Sequence, residues 1–313
     1  MTYLARRLGL FGVTLLLITL VTFLITNVLP GDVATMILGT RSNPETLAGL
    51  REKLGLNQPL IVQYGHWIGH ALSGDLGVSL VFRTPIAVLL GQKIAASAML
   101  VVMSLVMALL FAVPLGVWGA VHRDRWQDSV GSSIALAGIS LPDFFWGIVL
   151  ILFVARGLGW LPASGYASPL DSPRLALSYA ALPSVTLALS LMAHLTRMTR
   201  SAMLEVLGQD FIRVCRAKGL AEGTVILRHA LRNAISPVLT VAGLQLGYLF
   251  GSIIVVESLF NFTGMGWLTY QALLNRDMPL VQASVLVIAA LVMLTNLAID
   301  VVYTLLDPRV RLT

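Results

Sequence analysis

The chain is poor in charge, nearly free of cysteine, and without any short motif that would give it a reaction of its own. Asp, Glu, Lys and Arg make up 12% of its 313 residues, where a soluble domain carries about 25%, so an ordinary water-facing globule is excluded. Cys215 is the single cysteine. An internal disulfide is therefore impossible, and the thiol reads as a small packing residue. No GxxxxGK[ST] occurs, which removes a phosphate-cradling loop, and there is neither HExxH nor CxxC. If ATP is spent, another chain hydrolyses it. No internal repeat and no low-complexity tract is visible.

What fills the chain is apolar sequence, 57% of it. Crossing a bilayer takes about 20 apolar residues, and six runs meet that length: residues 8–29, 94–121, 130–155, 176–196, 238–256 and 283–306. The first is preceded by Arg6 and Arg7, but it is long and no small-x-small site closes it. It is expected to stay as an anchor and not to be cleaved. Six spans place both termini on one side. Lys and Arg gather in cytoplasmic loops. With both termini inside, 13 of the 21 basic residues lie on that side: Arg6, Arg7, Arg123, Arg125, Arg197, Arg200, Arg213, Arg216, Lys218, Arg228, Arg232, Arg309 and Arg311. The net charge of +6 then reflects topology and requires no nucleic acid.

The one sizeable extramembrane piece expected on the external side is residues 30–93, with residues 197–237 forming a loop on the cytoplasmic side. The external piece opens on a turn, Pro30–Asp32, followed by NPETLAGLREKLGL with Asn43 as N-cap and Pro44 at the first helical position. A second turn is GDLG at 74–77. So short a piece cannot bury much core alone, so short helices and loops lying against the membrane domain are expected. The charged loop His122–Asp128 is short enough to make spans two and three a hairpin. The loop 257–282, with its SLFNFTGMGWLTYQALLNRD, is too apolar and aromatic for free coil and predicts an interface-lying or re-entrant segment.

Several constellations invite a function and each has a plainer reading. Gly243, Gly247 and Gly251 recur every four residues in span five, a helix-packing seam of the small-xxx-small kind. Asp143, Glu257 and Asp300 lie at or near membrane depth, where ionisable groups are costly. Asp143 follows Pro142, where a helix can break, and with Glu257 it is a candidate for a pathway or its gate. Asp300 can pair with Arg309 or Arg311. His66 and His70 share a helix face as metal ligands do, yet no third ligand is near in sequence. Ser140 with His194 mimics a protease dyad, but a serine in a membrane helix usually bonds its own backbone.

The most patterned polar stretch is RVCRAKGLAEGTVILRHALRNAISP, from Arg213 to Pro237. Span four continues helically past Arg197 and Arg200, and Gly219 ends that helix as glycine does at C′. A second helix then places Leu227, Ala230, Leu231, Ala234 and Ile235 on one side and Arg228, His229, Arg232 and Asn233 on the other. Ser236-Pro237 is expected to start span five. A basic helix–turn–helix with an apolar stripe is a docking surface more than a solvated loop.

This stretch resembles the cytoplasmic EAA loop of ABC importer permeases. Arg213-Val214-Cys215 stand where Glu-Ala-Ala would, Gly219 is the glycine, and Pro237 comes later than in the general pattern. Both departures match the dipeptide/oligopeptide/nickel permease branch. The N-terminal ARRL, LPGD, LGLNQPLIVQY, GDLGVSL, ESLFNFTGMGWL and LDPRVR look like its B-type subunit over essentially the full length. The resemblance implies an all-α, six-span type I permease of the bacterial inner membrane, both termini cytoplasmic. It implies a second, C-type permease, two ATPase subunits that bind ATP and Mg, an external substrate-binding protein, and no catalytic site, cofactor or metal in this chain. ATPase coupling would fall to Arg213, Ala217, Lys218, Gly219 and Leu220, with Arg228 and Arg232 supporting. Glu205 or Glu222 would be candidates for the missing family glutamate. Di- and oligopeptides are the expected solutes, with nickel and glutathione as alternatives; a secondary transporter, a channel or a protease would be the readings of another class.

Overall fold

The computed structural model describes residues 2–28, 33–38, 43–53 and 55–306, and among them the chain is all helix, turn and loop. A single isolated bridge, Val78 to Pro85, is the only β-like pairing there. Apolar sequence of this kind has one way to satisfy its backbone in hydrocarbon, which is to close every N–H on a carbonyl of the same segment. The turn expected at Pro30–Asp32 and the pairing of Asp300 with Arg309 or Arg311 lie outside the described residues.

Five helices among the described residues are long and apolar enough to cross a membrane: Gly9–Asn27, Ile86–Val121, Pro173–Leu207, Glu222–Leu259 and Met278–Ile299. They correspond to the first, second, fourth, fifth and sixth of the expected runs, the first and last over most of their length. The third, 130–155, is not one helix. It divides into α6 (Trp126–Ser140) and α7 (Asp143–Leu150), the latter continuing as a wider π-helical stretch, Ile151–Gly157. Proline causes the break. Leu141 (φ −115°, ψ 140°) and Pro142 (φ −62°, ψ 149°) are both extended, because the ring excludes its predecessor from the helical region and brings no N–H.

The chain divides into two compact units. The first, Met1–Ala96 with Gly264–Met293, holds α1 (Thr2–Val28), α2 (Val33–Leu38), α3 (Pro44–Lys53), α4 (Leu60–Leu72), the start of α5 (Ile86–Val121), α12 (Met265–Leu274) and the first part of α13 (Met278–Leu306). α2, α3 and α4 are short helices, as expected, and Asn43 caps α3 by accepting the Glu45 N–H at 3.2 Å, with Pro44 first in the helix. α4 packs on α1 through Phe23, Tyr64 and Trp67, with the Thr19 and Tyr64 hydroxyls 2.8 Å apart. The loop after Glu257 is not free coil: α12 buries Met265, Leu268 and Ala272 against Ile86, Leu90 and Leu280.

The second unit, Ser97–Thr263 with Leu294–Thr313, is organised on α8 (Pro173–Leu207). This helix buries a run of small side chains, among them Ala180, Ser184, Ala188, Ala193, Thr199 and Ala202, and such residues let helix backbones approach closely. A Cβ added at Gly138 of α6 would meet Ala193 Cβ at 2.9 Å and the Leu189 carbonyl at 3.1 Å. Beyond α8 come α9 (Asp210–Ala217), α10 (Glu222–Thr224), a π-helical stretch Val225–Ala230 and α11 (Leu231–Leu259). Pro237 does not start α11, as expected, but lies inside it.

The three glycines of α11 do not form one seam. Gly243 is buried, and a Cβ there would meet Ile299 Cγ2 at 2.4 Å, whereas Gly251 is exposed with nothing within 4 Å. Gly243→Ala should therefore cost about 1–3 kcal/mol by overpacking, seen as a lowered midpoint in thermal unfolding of the detergent-solubilised protein. Gly251→Ala should leave stability unchanged or raise it by up to about 1 kcal/mol, since alanine is the better helix former. Equal losses at both positions would contradict this packing.

Candidate functional site

The basic stretch begins on α8, which runs past the expected end of its span to Leu207. Gly208 and Gln209 turn the chain, and α9 starts at Asp210. Its other end is a Schellman motif: the Leu220 N–H donates to the Cys215 carbonyl at 3.4 Å and the Gly219 N–H to that of Arg216 at 2.9 Å. Gly219 adopts φ +77°, the left-handed conformation that only glycine enters freely. The turn falls at the predicted residue, but the helix that it ends is not the expected continuation of span four: Gly208 and Gln209 interrupt the chain, so Gly219 closes the separate α9.

Its apolar stripe differs from the expected one. Val225, Ala230 and Ala234 are buried, whereas Leu227 is 64% exposed and Leu231 and Ile235 are half-buried. The cause is the π-helical stretch Val225–Ala230, which spaces the first two buried positions five residues apart before the ordinary spacing of four resumes at Ala234 and Val238. The buried residues share one core with Ile212 of α9, Ala202, Met203 and Val206 of α8 and Ala120 of α5, with Cys215 packed against it. The single cysteine is therefore a packing residue, as read from its type.

The outer face is mixed. Phe211, Val214, Leu220 and Leu227 are exposed among exposed Arg213, Ala217, Lys218, Arg228 and Arg232. Arg213 reaches Asp210 at 3.4 Å, with both side chains largely in solvent. Arg216 grips Glu222 with two hydrogen bonds, 2.6 and 3.2 Å, across the Gly219 turn, and this bond raises the Arg216 pKa above its already high ordinary value. Of the two acidic residues near the turn, Glu222 is thus committed within the segment, while Glu205 is exposed.

Two of the carboxylates expected at membrane depth, Asp143 and Glu257, have hydrogen-bond partners. Asp143, the first residue of α7 after the proline break, is half-buried and accepts a short hydrogen bond from the Ser190 hydroxyl of α8. Glu257 is fully buried and accepts from Ser97 of α5 at 2.5 Å, so it lines no open space in this conformation. The Ser140 hydroxyl donates to the Leu136 carbonyl of its own helix at 2.8 Å, and His194 is half-buried on α8. His70 faces Asp75 at 3.6 Å, and among the described residues no three His, Cys, Asp or Glu side chains converge as metal ligands do.

Two buried pairs were not anticipated. Asp128, 6% exposed, takes both Nε and a terminal nitrogen of Arg200 at 2.5 Å. Asp277, fully buried, accepts from the Ser79 hydroxyl at 2.5 Å, from the Val81 N–H at 3.2 Å and from the Leu280 N–H at 3.3 Å, which also caps α13. Sequence reasoning placed both acids in loops. The available signal was a carboxylate one turn from the start of a long apolar run, where burial makes it seek a donor.

Comparison with known proteins bears on this arrangement. Residues 112–312 match the family described as binding-protein-dependent transport system inner membrane component, and residues 1–80 match the N-terminal part of such membrane components. The glutathione transport system permease protein of Salmonella choleraesuis (strain SC-B67) is 41% identical over 308 residues, 98% of each chain. A putative peptide transport system permease protein of Brucella abortus (strain 2308) is 39% identical over 297 residues, 95% of each chain. A chain of the inward-facing MetNI methionine ABC transporter superposes with a TM-score of 0.61 at 19% identity, covering 71% of this chain and 98% of that one; at that identity the likeness is one of fold.

The Schellman turn makes its own prediction. A Cβ at Gly219 meets nothing within 4 Å, so substitution there costs only backbone strain. Gly219→Ala should weaken the turn by about 1–2 kcal/mol, read as faster amide exchange at Leu220, and Gly219→Asn should cost less because asparagine tolerates this conformation.

Proposed function

The chain belongs to the family of binding-protein-dependent transport system inner membrane components, and on that premise we propose that it forms half of the translocation path of an importer for short peptides, glutathione among them. It is a permease subunit of an ABC importer, a transport subunit and not an enzyme. That excludes the protease suggested by Ser140 and His194. In this reading the chain pairs with a second permease subunit, two ATPases dock on the cytoplasmic face, and an external binding protein delivers the solute. Both chain termini lie in the cytoplasm.

One observation supports the coupling role: the segment Asp210–Ala230 is a helix–turn–helix, cored on α8 and α5, whose outer face mixes exposed apolar and cationic side chains. Exposed apolar side chains in such a setting mark an interface. ATP-driven movement of the ATPases would enter through Arg213, Ala217, Lys218, Gly219 and Leu220, with Arg228 and Arg232 at the edge. Because Glu222 is held by Arg216, the acidic contact of the wider family is replaced here by a cationic one, and the partner groove is expected to be acidic at that point. Asp143 is the better candidate for the pathway, since it is half-exposed at a helix break, while Glu257 serves as a buried tie. The substrate class is supported by the two relatives, whose names give glutathione and peptide transport; glutathione is itself a tripeptide.

The test uses charge at a fixed conformation. Gly219→Asp and Gly219→Asn both tolerate the left-handed turn, but only the first puts a negative charge on the cationic face. In proteoliposomes holding the complete transporter, Gly219→Asp should lower ATP-driven uptake of labelled glutathione or dipeptide by roughly tenfold, about 1.4 kcal/mol of docking, and should co-purify less ATPase. Gly219→Asn should stay close to wild type. Uptake without ATP, or a purified chain that retains no ATPase, would overturn the reading.

A further inference from the structure

We propose that the buried ion pair between Asp128 and Arg200 is the joint through which movement of the coupling segment reaches α6 and the helix break beyond it. The proposal rests on the coupling role assigned above to residues 210–230.

Those residues do not stand on α11 alone. Ile212, Val225 and Ala230 share their core with Met203 and Val206 of α8 and with Ala120 of α5. Arg200 lies one turn before Met203 on the same unbroken helix, so whatever displaces α9 and the Val225–Ala230 stretch displaces Arg200 with them. Asp128 is in the first turn of α6. The pair is bidentate, both bonds at 2.5 Å, and a forked guanidinium–carboxylate contact sets angle as well as distance. The Asp128 side chain is 8% exposed and that of Arg200 29%, so water competes little for the bonds. Asp128 also accepts the Asp124 N–H at 3.1 Å, drawing in the α5–α6 turn. Gly119 of α5 closes over the pair, so near that an added Cβ would lie 3.5 Å from Asp128 Oδ1 and 3.7 Å from Arg200 Cδ.

At its other end α6 is seated again on α8, Gly138 against Ala193. Two residues later it stops at the Leu141–Pro142 break, beyond which Asp143 is bonded to Ser190, also of α8. Packing of small residues allows sliding; a forked ion pair does not. Asp128–Arg200 therefore makes α6 and α8 one lever, so a push at the cytoplasmic end arrives at the break instead of being lost as slippage between helices. Its role is one of positioning, since neither residue lies on the exposed docking face.

Removing one partner alone would bury an unpaired charge and risk misfolding, so the test neutralises both. The complete transporter with Asp128→Asn and Arg200→Gln together is reconstituted in proteoliposomes, and uptake of labelled glutathione and of a labelled dipeptide is measured with ATP hydrolysis. The expected result is an assembled complex whose hydrolysis stays within about twofold of wild type while solute moved per ATP falls at least about fivefold. The reversed pair, Asp128→Arg with Arg200→Asp, should recover part of the lost ratio. An unchanged ratio in the neutral variant overturns the proposal, as does failure of that variant to assemble or an equal fall in hydrolysis and uptake, each of which marks the pair as scaffold only. If wild-type uptake itself does not need ATP, the coupling reading falls first.

Discussion

The second unit depends on α8, one continuous helix, with Pro183 in its interior, that neighbours can approach closely. From Pro173 to Leu207 it carries buried alanines, serines and threonines where larger side chains would hold other helices off. Gly116 of α5, Gly138 of α6 and Gly147 of α7 all sit where an added Cβ would collide, the first two with α8 itself and the third chiefly with Leu259 of α11. Hydrophobic sorting cannot drive helix association in lipid, where tails are as apolar as leucine, so close packing and the few polar contacts must do it. The same rod extends beyond the apolar run and becomes the floor on which α9 and the Val225–Ala230 stretch are built. The packing of the second unit and the seating of Asp210–Ala230 thus rest on one element.

In a chain with so little charge, each buried or half-buried carboxylate described here shows how its cost is met. Glu257 has Ser97, Asp277 has Ser79 with two backbone N–H groups, Asp143 has Ser190, and Asp128 has the guanidinium of Arg200. Three of the four use serine, a small donor that fits between close helices without a counter-charge of its own. Hydrogen bonds to a charged group contribute about 1.5–3 kcal/mol, more than neutral ones. They tie distant stretches together: Ser79 and Asp277 join the GDLGVSL motif to the start of α13, and Ser97 joins α5 to the far end of α11. Asp128 has a full counter-charge in Arg200, one turn along α8 from Met203 of the core beneath Asp210–Ala230.

Much of the fold was legible, and the misses share a cause. Apolar run length found five of the long helices because that requirement is one-dimensional. Pro142 and Asp143 carried the right suspicion of a break, yet the run 130–155 was read as continuous, since hydropathy averages over the two extended residues that interrupt it. Gly219 was found because only a left-handed residue can close that turn. The stripe was misplaced at Leu227 because ordinary helical spacing was assumed, and a π-helical stretch adds one residue to the period without marking the sequence. Gly243 and Gly251 looked equivalent at a four-residue repeat; one faces Ile299 and the other faces open space.

The sequence by itself determined that this is a helical membrane chain with a basic helix–turn–helix and none of the phosphate-loop, HExxH or CxxC motifs. Run length, charge bias and the absence of catalytic motifs are local properties and need no partner residue to be read. Only the tertiary structure decided which charges are active and which are tied down: Glu222 to Arg216, Glu257 to Ser97, Asp128 to Arg200. The last two pairs lie 160 and 72 residues apart in sequence. Pairing across such distances follows from how helices dock, and docking depends on three-dimensional side-chain packing that no window along a single chain contains.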